Sequence, residues 1–193
     1  MIDKKELILD VARVRFDRFG VKKTTMDEIS KEAGISKKTL YELFRNKEDL
    51  FVSVFIKEAL NNRQWILKRV DHIRDPLEKI REVLQITVNY HWHETFMAKV
   101  LQDEDGLYAP FLKDKYRIQV EEGILTIFSD MLEAGINQRQ VRDLDSNIVA
   151  YFIFKLFQSV TYARTASIKG DKKDLKEFID FILEGIVRKQ GRS

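Results

Sequence analysis

Proline occurs only twice in this chain of 193 residues, at Pro76 and Pro110, and glycine eight times. Proline removes a backbone donor and glycine weakens a regular element, so their scarcity leaves long stretches open to uninterrupted helix. The apolar residues use that freedom at helical spacing. Leu7, Ile8, Val11, Ala12, Phe16 and Phe19 form one stripe that stops at Gly20. Thr25 opens a short second helix, and Glu28 three residues on completes a Thr-x-x-Glu capping box. Ile29 and Ala33 give that helix one apolar face before Gly34 ends it. Ser36 caps a third helix carrying Leu40, Leu43 and Phe44. Asn46 caps a fourth, in which Leu50, Val54 and Phe55 lead toward Leu60 and Trp65.

Longer helices follow. Asp75-Pro76-Leu77-Glu78 combines a capping Asp, a first-turn Pro and a third-position Glu, so a helix should run from there to about Trp92 or Phe96. After a loop over 103–110, another is expected from Lys113 to Ala134, stopping at Gly135. Asp143 or Asp145 opens a helix from Ile148 to Tyr162 that is apolar almost all round. Gly170-Asp171 breaks the chain before a last helix, Leu175 to Val187. No repeat and no period-two strand pattern competes with this reading. The expectation is an all-α chain of about nine helices. Residues 1–46 are expected to form a three-helix domain with a helix-turn-helix corner, and 47–193 a larger helical domain.

Composition mainly excludes. The net charge of +3, from 34 Lys and Arg against 31 Asp and Glu, is too small to argue for nucleic acid by itself, so the position of the charges must carry that case. The chain has no cysteine, hence no disulfide and no thiolate metal site. No stretch approaches the roughly 20 apolar residues of a membrane span, and Met-Ile-Asp-Lys-Lys-Glu lacks the apolar core of a signal peptide. The expected location is the cytoplasm.

The segment Thr25 to Phe44 is the informative one. Two short helices are joined by Ala33-Gly34-Ile35-Ser36, with glycine at the bend, and Ile29, Ile35 and Leu40 are spaced to meet inside the corner. The second helix keeps a polar face of Ser36, Lys37, Lys38, Thr39 and Glu42, with Tyr41 beside it. From Ser36 to Lys47 four basic residues (Lys37, Lys38, Arg45, Lys47) stand against one acid. A helix of this width fits the major groove of DNA, and its N-terminus presents unpaired N–H groups to phosphates.

Over residues 5 to 51 the order and spacing resemble the tetracycline-repressor (TetR) family. Ile8 to Gly20 is similar to its first helix and Thr24-Thr25-Met26-Asp27-Glu28-Ile29 to the start of its second. Ala33 through Phe44 is similar to its turn and recognition helix, and Lys47-Glu48-Asp49-Leu50-Phe51 to the opening of its fourth helix. Lys38 departs from the small residue common there. The resemblance implies DNA binding through Thr25 and Ser36 as phosphate-contacting caps, and through Lys37, Lys38 and Thr39 as base or backbone contacts. It also implies phosphate contacts from Tyr41 and Lys47.

Other signals are weaker. His91 and His93, two apart on a helix, point about 200° away from each other and cannot share an ion unaided, so no metal and no cofactor is expected. Asp103-Glu104-Asp105 lacks the spacing of a calcium loop. No phosphate loop or nucleophile motif is present, so an enzyme is not expected. Trp65, His91, Trp92, Phe96, Phe111 and Phe154 are the candidates to line a pocket, where aromatic walls suit a small, mainly apolar or aromatic ligand. The helix from Ile148 to Tyr162 carries apolar residues on more than one face. Together with Leu175, Phe178, Ile179, Ile182 and Ile186 it suggests a homodimer, and hence a palindromic operator in double-stranded DNA. The expected function is a repressor released by its ligand. The alternatives are the same DNA-binding fold controlled by a protein partner, or a helical-bundle enzyme or lipid carrier.

Overall fold

Short polar side chains set the helix starts. Asp3, Thr25, Ser36, Asn46, Asp75 and Asp145 each accept a hydrogen bond from a backbone N–H of the first turn that follows, as at Asn46 (2.8 Å from Asp49) and Asp75 (2.9 Å from Glu78). The computed structural model describes residues 3–92, 96–101, 117–162 and 172–188. Its helices are α1 (Lys4–Phe19), α2 (Met26–Glu32), α3 (Lys37–Leu43), α4 (Lys47–Val70), α5 (Pro76–Trp92) and α6 (Phe96–Leu101). A π-helical turn, Arg117–Glu121, then runs into α7 (Glu122–Asn137), followed by α8 (Ser146–Tyr162) and α9 (Lys172–Ile186). The fold is all-α. Among the described residues, one isolated antiparallel bridge, Val141 to Val187, is the extended pairing that we find.

The chain divides into two compact units. The first takes in α1 to α3, α4 as far as Asn61 and the π-helical turn as far as Val120; the second takes in the rest of α4 with α5 to α9. In the first, Ile8, Ala12 and Phe16 of α1 are buried with Ile29, Leu40 and Phe44, and with Leu50, Phe51, Val54 and Phe55 of α4. The rings of Phe16 and Phe51 meet edge to face, with centroids 5.7 Å apart. Helix α4 therefore contributes core to this unit well beyond residue 46. Ion pairs fasten the outside: Arg15 to Glu28 and Glu32, Arg13 to Glu58, and Lys57 to Glu6 and Asp10. Burial works against the charge on Lys57, but hydrogen bonds to Asp10 and Glu6 outweigh it and raise the pKa.

In the second unit α5 packs against α7, α8 and α9. Ile80 and Leu84 of α5 share a core with Leu132, Ala150, Ile153, Phe157, Ile179, Ile182, Leu183 and Ile186. Two expectations change here. Helix α7 does not stop at Gly135 but runs one half-turn further, to Asn137. The chain reverses with Arg139 at φ 60°, Arg139 N–H donating to Ile136 and Gln140 N–H to Gly135. That is the Schellman pattern, with arginine where glycine is usual. Gly135 serves another purpose: a Cβ there would lie 2.5 Å from Val141 Cγ2, so its bare backbone makes room for Val141. The second change concerns α9. Ile179, Ile182 and Ile186 are buried in the unit's own core, and Phe181 is the ring left outside, 69% exposed.

Candidate nucleic-acid interface

The corner between α2 and α3 is built from the backbone outward. Thr25 Oγ1 accepts from Glu28 N–H, and the Glu28 carboxylate accepts from Thr25 N–H (2.8 Å) and from the Thr25 hydroxyl (2.9 Å), so both halves of the capping box are present. These bonds, aided by Arg15 at 3.1 Å, hold the Glu28 carboxyl below the ordinary glutamate range. Glu28 and Glu32 bind Arg15 in turn. The Glu32 hydrogen bond chiefly raises the Arg15 pKa, and the pairing fixes α2 against α1.

Helix α2 ends at Gly34, whose φ of 64° a side chain would strain. Gly34 N–H donates to Lys31 and Ile35 N–H to Ser30, closing a second Schellman turn. Ser36 then starts α3, its hydroxyl accepting from Thr39 N–H at 3.1 Å. Ile29 and Leu40 are fully buried in the corner and Ile35 half so. The angle between the two helices is thus fixed by one glycine, one cap and two buried aliphatics, while the other side of α3 stays in water.

On that side the cations differ in what they touch. Lys37 Nζ donates to Asp27 Oδ2 of α2 at 2.5 Å. Lys38, 87% exposed, has a longer contact of 4.0 Å to Glu42 one turn on. Tyr41 stands about half exposed, and Thr25 and Ser36 are also exposed, with Thr39 partly covered. Lys47 is arranged differently. Its ammonium donates to the carbonyls of Lys22 (3.3 Å) and Thr24 (3.0 Å), so it braces the turn between α1 and α2 from the start of α4. Thr24 in that turn is buried, its hydroxyl donating to Gly20. Lys22 and Lys23, in the same turn, are exposed. Helical periodicity does not point to them because they lie outside the helices, although the Lys-Lys pair beside Thr24-Thr25 is plain in the sequence.

This arrangement presents cations, hydroxyls and one aromatic on a helix narrow enough for a DNA groove. The model of the family described as bacterial regulatory proteins, tetR family, matches residues 8–54, which span α1, α2, α3 and the start of α4. Residues 8–54 form a TetR-family domain. Similarity to TetR-family regulators continues beyond that segment. The HTH-type transcriptional regulator YhgD of Bacillus subtilis is 27% identical over 165 residues, covering 83% of this chain and 84% of that protein. The HTH-type transcriptional repressor KstR2 of Mycolicibacterium smegmatis is 24% identical over 194 residues, covering 97% and 93%. Among solved structures, a transcriptional regulator from Saccharomonospora viridis, in complex with choline, superposes with a TM-score of 0.69 at 18% identity. That match covers 96% of this chain and 98% of that one.

The pocket candidates lie as follows. Trp65 on α4 is 46% exposed, with the Arg69 guanidinium 5.0 Å from its ring. Phe96 on α6 and Phe154 on α8 are buried, and Lys155 Nζ sits 5.2 Å from the Phe154 ring. His91 and Trp92 form the last turn of α5, and their side chains, with Phe111 and His93, lie outside the described residues. Among the described residues no three His, Cys, Asp or Glu groups come together as a metal site, and no helix is long and apolar enough to cross a membrane.

Proposed function

We propose that this protein is a cytoplasmic TetR-family repressor that binds a palindromic operator as a homodimer and leaves it when a small, mainly apolar or aromatic molecule binds its second unit. The observation that carries this reading is the solvent-facing side of α3, where Lys38 and Tyr41 project from a helix locked by the Gly34 corner. Thr25, Ser36, Lys37 and Thr39 supply the remaining contacts to phosphates or bases. Lys47, with its ammonium on two carbonyls, acts on phosphates and on the turn beneath it. Residues 1–46 carry the recognition surface, and 47–193 carry effector binding and assembly.

Dimerisation rests on α8 and α9. Ile148, Phe152 and Leu156 follow one another at turn spacing along α8 and are exposed, as is Phe181 of α9. Between the two helices an open groove of about 590 Å³ is lined by Val149, Phe152, Ile153, Leu156, Phe181 and Ile182. A second copy of the same pair would cover this face as a four-helix interface about a two-fold axis. The repressor sense follows KstR2, which is named a repressor. The effector reading draws support from the choline-bound regulator of the same fold and from Trp65, His91, Trp92, Phe96 and Phe154 in the second unit. Such a molecule must favour the form that does not fit the operator, because equal affinity for both forms shifts nothing. No catalytic role is assigned.

The test is titration of the full chain onto a duplex enriched from a random pool, followed by fluorescence anisotropy. Lys38→Ala and Tyr41→Ala should each weaken binding by about 1–3 kcal/mol, the range for a lost specific contact. If both variants bind as tightly and as selectively as the parent, α3 does not read DNA.

A further inference from the structure

We infer that Asp27 restrains the DNA affinity of this protein by holding Lys37, so that the two residues form a cross-helix clamp that DNA must open. This rests on the proposed reading of α3 and concerns how that surface is tuned.

Asp27 is in the first turn of α2 and Lys37 is the first residue of α3. Between them lies the Gly34 turn, and across it Lys37 Nζ donates to Asp27 Oδ2 at 2.5 Å. Both side chains are exposed, 58% for Lys37 and 51% for Asp27, so the pair sits on the surface and not within the core of the corner. Lys38, the next residue, has only the looser intrahelical contact to Glu42. Two adjacent lysines thus enter an encounter with DNA in different states: one extends into solvent, the other is turned toward α2 and neutralised.

Two consequences follow. A phosphate or a guanine edge must draw the Lys37 ammonium away from its carboxylate, or share it, before gaining a full contact. Asp27 itself also places a negative charge next to a surface that meets a polyanion. Exposed pairs are weak, so the clamp is one that DNA can open, and its effect is a matter of several-fold rather than thousands-fold. It acts on every sequence alike. A carboxylate that lowers the general attraction to phosphates weakens operator and bulk DNA by the same factor, so it sets how tightly the protein holds DNA and leaves the ratio between the two unchanged.

The experiment is a double-mutant cycle on the full-length protein, using Asp27→Asn, Lys37→Ala and the combination. Each is titrated onto a random-sequence duplex over a series of salt concentrations, with melting temperatures recorded alongside. Asp27→Asn should tighten binding about three- to tenfold and steepen the dependence on salt by roughly one phosphate contact. Lys37→Ala should cost little in the parent and at least threefold more in the Asp27→Asn background, which is the coupling that the clamp requires. The same factor for Lys37→Ala in both backgrounds would overturn the clamp, as would an Asp27→Asn protein that binds no tighter. Lys38→Ala, run in the same series, distinguishes a failure of the clamp from a failure of α3 to read DNA. If it weakens binding while Lys37 shows no coupling to Asp27, only the clamp fails. If none of Lys37, Lys38 and Tyr41 affects binding, the recognition-helix reading fails with it. Because both clamp residues are exposed, the melting temperature should stay close to the parent's, and an affinity change that merely follows a large fall in stability counts against the clamp.

Discussion

Truncating Phe181 to alanine should dissociate the proposed dimer without unfolding the protomer. The ring is 69% exposed, and a phenylalanine offers on the order of 200 Å², so about 140 Å² of apolar surface remains for a partner. At about 25 cal/mol per Å² this is worth roughly 3 kcal/mol, and a two-fold axis counts it twice. Incomplete burial and side-chain ordering at the interface take back about half. The net is about 3 kcal/mol, or roughly a hundredfold in the dimer dissociation constant. Phe152→Ala, at 57% exposure, should act similarly. Sedimentation equilibrium of parent and variants reads the constant directly, and urea denaturation at low protein concentration shows whether the protomer is intact. A dimer whose dissociation constant is unchanged in both variants would refute the assignment of α8 and α9 as the interface.

Two further expectations concern stability. Gly135→Ala should gain about 1 kcal/mol of helix propensity but force the new Cβ to 2.5 Å from Val141 Cγ2, an overpacking cost of about 1–3 kcal/mol. A net loss should appear as a lower urea midpoint, and a more stable variant would show the contact is readily relieved. Glu28 has a lowered pKa, so its contribution to stability is full above the ordinary glutamate value of 4.5 and fades as the pH falls from there through its folded value. The stability difference between the parent and Glu28→Gln should therefore shrink between pH 6 and pH 3, and a constant difference would exclude the carboxylate's role.

The local features were legible because their causes are local. Thr25 with Glu28, Ser36 with Thr39, and Asp75 with Glu78 each need only a three-residue spacing, and the corner at Gly34 needs only a glycine between two caps. Gly135 misled because glycine has two uses. The sequence cannot say whether it ends a helix or admits a neighbour, and the neighbour, Val141, is brought back by the turn that Arg139 makes. Periodicity grouped Ile179, Ile182 and Ile186 on one face of α9, yet could not tell whether that face meets its own core or a partner. The stripe lies inward, and Phe181, outside the stripe, is the exposed ring. Lys47 and Lys37 show the same limit on the candidate interface. Their residue types indicated phosphate and base contacts, but the carbonyls of Lys22 and Thr24 and the carboxylate of Asp27 reach them only through the folded corner.

In the proposed function two copies of α3, one from each protomer, read DNA together. Selection of bound duplexes from a random pool by the full-length protein tests it most directly. The expected result is an inverted repeat whose half-sites are related by the two-fold axis of the proposed dimer, with a weaker preference at one symmetric pair of positions when Lys38→Ala is used instead. Recovery of no common sequence, or of a motif without symmetry that Lys38→Ala leaves unchanged, would contradict it.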